Sequence, residues 1–150
     1  TNTFGAQMSC ALTASAAVTV YLSGELGAGK TALVRAFLRA RGYCGAVPSP
    51  TYTLVEIYDV GDVPVQHFDL YRLSDPEELE FIGARDYFSD PAIRFVEWHE
   101  RGRGVLPTPD VQIDLKVEGA GRSIALAPMS DSGRQLVKKL SVPDSTLITG

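Results

Sequence analysis

Phe4, Met8 and Leu12 recur at four-residue intervals and predict a short amphipathic helix at the start of the chain. Val18 to Leu22 is apolar and rich in β-branched residues, and Ser23-Gly24 closes it, the pattern of a buried strand. From Lys30 to Arg41 the period changes to that of a helix. Val34, Phe37 and Leu38 share one face, Arg35 and Arg39 turn away, and Gly42 is the expected stop. Thr53–Tyr58 and Val63–Phe68 flank Gly61-Asp62 and predict a hairpin, and Val111–Val117 and Ser123–Leu126 predict a second around residues 118–121. Between the hairpins, Asp75-Pro76 followed by Glu77, Glu78 and Glu80 marks a helix start, with acids at the positive end of its dipole. Ile93–Trp98 reads as one more strand, and Ser130–Leu140 as a closing helix. Helices mixed with strands and hairpins imply an α/β, three-layer fold whose sheet is mixed and partly antiparallel.

No internal repeat, low-complexity linker or long charge run divides the chain, so residues 1–150 are expected to form a single domain. A formal charge of -4 argues against a free-standing nucleic-acid binder, though not against RNA reached through a partner. Cys10 and Cys44, like His67 and His99, stand in no metal-ligand spacing, which makes a structural zinc site unexpected. The apolar stretch from Ala14 to Leu22 has no basic segment before it and is too short to cross a bilayer. Reduced thiols, a cytoplasmic location and no membrane partner are the resulting expectations.

Most of the chemistry lies in Gly24-Glu25-Leu26-Gly27-Ala28-Gly29-Lys30-Thr31, which fits G-x-x-x-x-G-K-[ST] between a predicted strand and a predicted helix. Glycines let the backbone wrap with its N–H groups inward, and the helix N-terminus adds positive potential for a polyphosphate. Lys30 would reach the β- and γ-phosphates, and the Thr31 hydroxyl would bind Mg²⁺. The dinucleotide pattern G-x-G-x-x-[GA] also fits from Gly27 to Ala32. No strand ending in an acid follows at the spacing of about 20 residues that a dinucleotide site needs, so the phosphate-loop reading prevails. A phosphate-loop enzyme needs an acid at the end of a neighbouring strand. Val65–Asp69 and Ile93–Glu97 each end in one. One carboxylate would bind the ion, and the other would position the attacking water or anchor a loop. His67, alternating within its strand, reads as a packed residue.

In order along the chain, GELGAGKT, VPSPTYTLVEIYD, HFDLYRLSDPEELEFIGARDYF and FVEW resemble successive motifs of the bacterial TsaE (YjeE) family, from about Phe4 to beyond Trp98. The second and third blocks discriminate, since any phosphate-loop protein would share the first. The resemblance implies a P-loop NTPase fold and a weak, magnesium-dependent ATPase of tRNA threonylcarbamoyladenosine biosynthesis. It further implies action with a TsaB–TsaD pair, in which TsaD modifies the adenosine beside the anticodon of tRNAs reading codons that begin with A. By that resemblance Gly27, Gly29, Lys30 and Thr31 match the phosphate loop, and Thr31 and Glu97 match magnesium ligands. With Glu25, Leu26, Ala28 and Ala32 the loop residues form the expected nucleotide-binding run, in which Glu25 is expected to face solvent. Lys30, Asp69 and Glu97 are the implied catalytic set. Ser49, Pro50, Thr51 and Thr53 match a switch-like loop by the γ-phosphate, and Trp98 sits near the site. Two departures stand out: Ala32 replaces a common second Thr, and His99-Glu100 follow Trp98 where proline is frequent. Two other readings use the same loop: a small-molecule kinase with Arg101 and Arg103 in a lid, and a binding module gated by nucleotide.

Overall fold

The computed structural model describes residues 2–12, 17–140 and 145–149, which leaves Ala14 to Ala16 of the apolar stretch outside the description. The chain runs α1 (Asn2–Ala11), β1 (Val18–Ser23), α2 (Lys30–Ala40), β2 (Val55–Tyr58), β3 (Val65–Asp69), α3 (Glu77–Phe81), α4 (Ala84–Ser89), β4 (Ile93–Glu97), β5 (Val111–Glu118), β6 (Gly121–Pro128), α5 (Asp131–Leu140) and β7 (Ser145–Thr149). A short 3-10 turn, His99–Gly102, follows β4. One seven-stranded sheet is ordered β2-β3-β4-β1-β5-β6-β7. Its centre, β3-β4-β1-β5, is parallel, and both flanks are antiparallel. This is the expected mixed α/β sheet, with parallel strands central where both faces are covered.

Alternation along the central strands builds the layers. Val18, Val20 and Leu22 of β1, Val65 of β3, and Ile93 and Phe95 of β4 join Phe4, Met8, Leu33, Val34 and Phe37 in the larger core cluster, beneath α1, α2 and α5. The opposite parity, Tyr21, Phe68 and Val96, packs with Leu79, Ala84, Tyr87 and Phe88 beneath α3 and α4. Close approach of α1 to α2 needs Gly5, where a Cβ would stand 2.5 Å from that of Ala36. Helix α2 ends as expected. Gly42 takes φ 92°, and the amides of Gly42 and Tyr43 return to the carbonyls of Arg39 and Leu38 at 3.0 Å each, a Schellman stop.

Three local expectations change. β2 starts at Val55 rather than Thr53, because Leu54 takes φ 69° and ends the preceding loop there. The helix begun at Glu77 lasts five residues, and Gly83, at φ 76°, separates it from α4. β7 follows the helix expected to close the fold, pairing antiparallel with β6 from Gly121↔Thr149 to Ala125↔Ser145. Its five residues carry little periodicity of their own, and the edge of β6 supplies the partner.

Candidate functional site

Parallel pairing sets the site. Asp69 and Glu97 are register partners at the ends of β3 and β4, and Glu97 is also opposite Leu22, the penultimate residue of β1. Both acids therefore finish at the edge of the sheet where β1 hands over to residues 24–29 and the N-terminus of α2, the usual ligand position in open α/β sheets. The glycines answer two demands. A Cβ on Gly24 would lie 2.5 Å from the carbonyl oxygen of Leu115, so the loop could not lie against β5, and Gly29 caps α2 at φ 108°.

Lys30 is buried, and its Nζ donates to the Gly24 carbonyl at 2.5 Å while standing 4.0 Å from the centre of the Trp98 ring. Burial pushes the Lys30 ammonium below its ordinary value, and the charges of Glu97, Asp69 and Glu100 oppose that shift. The Thr31 hydroxyl donates to Glu97 Oε2 at 3.1 Å. Asp69 gathers the switch-like loop. Its Oδ2 accepts from Ser49 Oγ at 3.1 Å and Thr51 Oγ1 at 3.0 Å, and its Oδ1 accepts from the Tyr71 amide at 3.0 Å. Its own amide donates to the Leu54 carbonyl, and the Leu54 amide donates to that of Pro50, so one aspartate ties both ends of the loop to β3. Among the described residues two non-glycines have positive φ, Leu54 at 69° and Trp98 at 60°, and they flank the two acids. Such conformations cost roughly 1–3 kcal/mol each and persist where the surroundings impose them. At Trp98 the turn aims the ring at Lys30.

These groups share one cleft of about 330 Å³, lined by Leu26, Gly27, Gly29, Lys30, Thr31, Ala32, Ser49, Thr51, Asp69, Glu97 and Trp98, together with Tyr71 and Arg122. Four of the residues singled out by sequence stand outside that lining. Glu25 is exposed and Ala28 buried, and both border a neighbouring cavity of about 430 Å³ against Asp114–Val117 of β5. Pro50 is buried behind the loop, and Thr53 is exposed, donating to Glu56 at 3.2 Å.

Three residues that sequence reading left aside also belong to the site. Arg122, at the start of β6, donates through Nε to the Ala28 carbonyl at 2.9 Å, pinning the loop from the second hairpin. Nothing around it in the sequence marks it. Tyr71 packs its ring 5.0 Å from that of Trp98, and the Arg101 guanidinium lies 5.5 Å from the Tyr71 ring, extending a wall that starts at Lys30. Its position within HFDLYRL was the available signal. His67, read as a packed residue, is indeed wholly buried, and its Nε2 lies 2.5 Å from Glu97 Oε2. His99 stacks on Tyr21 at 4.5 Å and lines a separate cavity with Tyr21 and Arg103 rather than the cleft.

Thr31 and Glu97 offer a hard, oxygen-only pair, suited to an ion that takes few protein ligands and completes its shell from phosphate and water. Among the described residues no cluster of three or more His, Cys, Asp and Glu side chains could hold a metal by itself. Cys10 and Cys44 are free and exposed. No described helix is long and apolar enough to cross a membrane.

The family model for "Threonylcarbamoyl adenosine biosynthesis protein TsaE" matches residues 1–124. The chain belongs to the TsaE family. The tRNA threonylcarbamoyladenosine biosynthesis protein TsaE of Haemophilus influenzae is 47% identical over 125 residues, 83% of this chain and 79% of that protein. The protein of the same name from Bacillus subtilis is 34% identical over 125 residues, 83% of this chain and 78% of its own. The crystal structure of Bacillus subtilis YdiB superposes with a TM-score of 0.74 at 26% identity, over 93% of this chain and 86% of that one. With the loop, the α2 N-terminus and the strand-end acids in place, the TsaE chain has the P-loop NTPase fold.

Proposed function

We propose that this TsaE chain is a magnesium-dependent ATPase, a single P-loop domain acting in the cytoplasm with TsaB and TsaD, to which tRNA comes indirectly. In that role it supports threonylcarbamoyl modification of the adenosine beside the anticodon in tRNAs reading codons that begin with A. The supporting observation is the convergence in one cleft of Lys30, the Thr31–Glu97 pair and the loop held by Asp69. Family membership, and relatives named for this biosynthesis, support the assignment to the pathway.

In this reading the amides of residues 25–31 cradle the phosphates of ATP, and the α2 N-terminus adds its partial positive charge. Lys30, paired with one carbonyl and a ring face, exchanges the Gly24 oxygen for phosphate oxygen. Thr31 and Glu97 would hold Mg²⁺, which neutralises charge on the β- and γ-phosphates when bound. Asp69 keeps Ser49 and Thr51 beside the site, so occupation by the γ-phosphate and its loss on hydrolysis alter the loop's environment. That loop is where the state of the nucleotide becomes visible to a partner, which unites the ATPase reading with the nucleotide-gated one. A charge of -4 accords with tRNA reached through the partners.

The test is a titration of ATP with and without Mg²⁺ followed by the fluorescence of Trp98, the single tryptophan. A saturable, Mg²⁺-sensitive change that disappears in Lys30→Ala is expected. Silence in both fluorescence and calorimetry would overturn nucleotide binding by the isolated chain. Unchanged tRNA modification by Lys30→Ala in a reconstituted reaction would overturn the mechanism.

A further inference from the structure

His67 occupies the middle of β3, opposite Phe95 and one pleat deeper than the Asp69–Glu97 pair. It is 0% exposed. An imidazole is a poor choice for filling such a position, because a buried polar atom without a partner costs about 1–3 kcal/mol, and His67 Nδ1 has none. Leu or Phe, the latter its register partner's type, would occupy the position without that cost. What the imidazole adds is one contact, Nε2 to Glu97 Oε2 at 2.5 Å. With a carboxylate as acceptor, Nε2 carries the ring proton and Nδ1 is the bare nitrogen.

Glu97 Oε2 thus receives two donors, His67 from beneath and the Thr31 hydroxyl from α2 at 3.1 Å. Among the described residues no hydrogen bond reaches Oε1. If the Thr31 oxygen turns to a metal ion, its hold on Glu97 weakens, and a glutamate side chain has three torsions through which its carboxylate can move or turn. His67, unlike Thr31, does not line the cleft, so its contact with Glu97 need not change.

The geometry points to His67 as a positioning residue, which fixes Glu97 through Oε2 and keeps Oε1 presented to the cleft when Thr31 is drawn to magnesium. The inference rests on the proposed reading of Thr31 and Glu97 as the magnesium pair. Hydrogen-bond partners behind metal ligands typically change metal affinity or activity about 10–100-fold when removed.

The experiment compares His67→Leu, His67→Gln and His67→Asn with the wild-type chain. Calorimetry measures ATP affinity with and without Mg²⁺, and melting temperature reports folding. A glutamine amide nitrogen reaches the place of Nε2, whereas that of asparagine stops near Nδ1. His67→Leu and His67→Asn are expected to lose about 10–100-fold of the Mg²⁺-dependent gain in ATP affinity, with Mg²⁺-free affinity unchanged and His67→Gln restoring most of the gain. A His67→Leu chain that folds and keeps the wild-type gain would overturn the inference. So would a His67→Gln chain no better than His67→Asn, the comparison that decides if leucine prevents folding. Failure of the wild-type chain itself to bind ATP more tightly with Mg²⁺ would overturn the reading of the whole site, and this inference with it.

Discussion

Strands β3 and β4 carry two buried polar clusters on opposite faces, alike in burial and unlike in what they can do. On the face toward α3 and α4, Gln66 and Arg94 are register partners at 3% and 6% exposure. On the face toward α2, His67, Asp69 and Glu97 are at 0%, 4% and 3%. Arg94 donates through Nε to Gln66 at 3.0 Å and through Nη2 to the carbonyls of Tyr87 and Asp90, so its charge closes the C-terminal end of α4. The other cluster meets a cleft, with Lys30 on one carbonyl and Glu97 bonded through one oxygen. Burial does not distinguish a structural charge from a functional one here. The direction of the remaining hydrogen-bonding capacity does.

The sharpest way to break the comparison is to remove one cation from each face. Lys30→Met is expected to reduce ATP turnover at least ~100-fold, the loss typical when a preorganised donor to transition-state charge is removed. Its melting temperature should hold or rise, because burial disfavours the Lys30 charge as it does that of Arg94, while Lys30 has a single carbonyl and a ring face to offset it. Arg94→Met should do the reverse. It leaves Gln66 Oε1 and the Asp90 carbonyl without their donor, while Tyr87 keeps only the longer bond from Gln66 Nε2 at 3.3 Å, costing about 2–4 kcal/mol and roughly 5–15 °C in melting temperature, with turnover per folded molecule unchanged. Turnover and thermal melts on both variants decide the matter, and a turnover loss in Arg94→Met equal to that in Lys30→Met would erase the distinction.

The next effect lies within the open cluster. Asp69→Asn keeps the size of the side chain but weakens its hold on Ser49 and Thr51, because charge-assisted hydrogen bonds are about twice as strong as neutral ones. Turnover is expected to fall ~10–100-fold. Ser49→Ala and Thr51→Val should each cost less, and a double-mutant cycle should show them coupled, since both hydroxyls meet Asp69 Oδ2. Strict additivity in that cycle would mean that the loop is not held as a unit.

How much of this was legible in sequence follows the same division. The loop, its strand and its helix could be read because glycine spacing and period changes are local, and the two acids because each ends an apolar run. That Asp69 and Glu97 would be register partners required the parallel pairing of β3 with β4, which no local pattern encodes. Arg122 was invisible for a similar reason. It reaches the loop from 94 residues away in sequence, through the pairing of β6 with β5 and of β5 with β1. His67 and Arg94 look alike in sequence, polar residues among apolar ones inside short strands, and only the partner of each shows what it does. β7 escaped because its place is set by the edge it joins.

The smallest expected effect separates Tyr21 from Lys30 by the sign of their response to alkali. Tyr21, on the closed face, donates its hydroxyl to the Pro107 carbonyl at 2.6 Å, and burial pushes its phenol from 10.0 up to about 12. The folded chain then holds a proton that the unfolded chain releases, so stability present below pH 10 is lost as pH rises through 10 toward about 12. Tyr58, packed in the larger core cluster and also raised by burial, acts in the same direction, so the sign follows the type of group rather than the face. Lys30 acts oppositely. Its value is lowered from 10.5, so the unfolded chain binds more protons just below that pH, and stability contributed by this group rises as pH climbs to 10.5. Denaturant melts between pH 9 and 12 should show a shallower decline in Tyr21→Phe than in wild type, and a steeper approach to pH 10.5 in Lys30→Met. Identical pH profiles in the two variants would mean that burial shifts neither group. Opposite departures from the wild-type slope would separate the buried phenol from the buried ammonium without nucleotide, metal or partner.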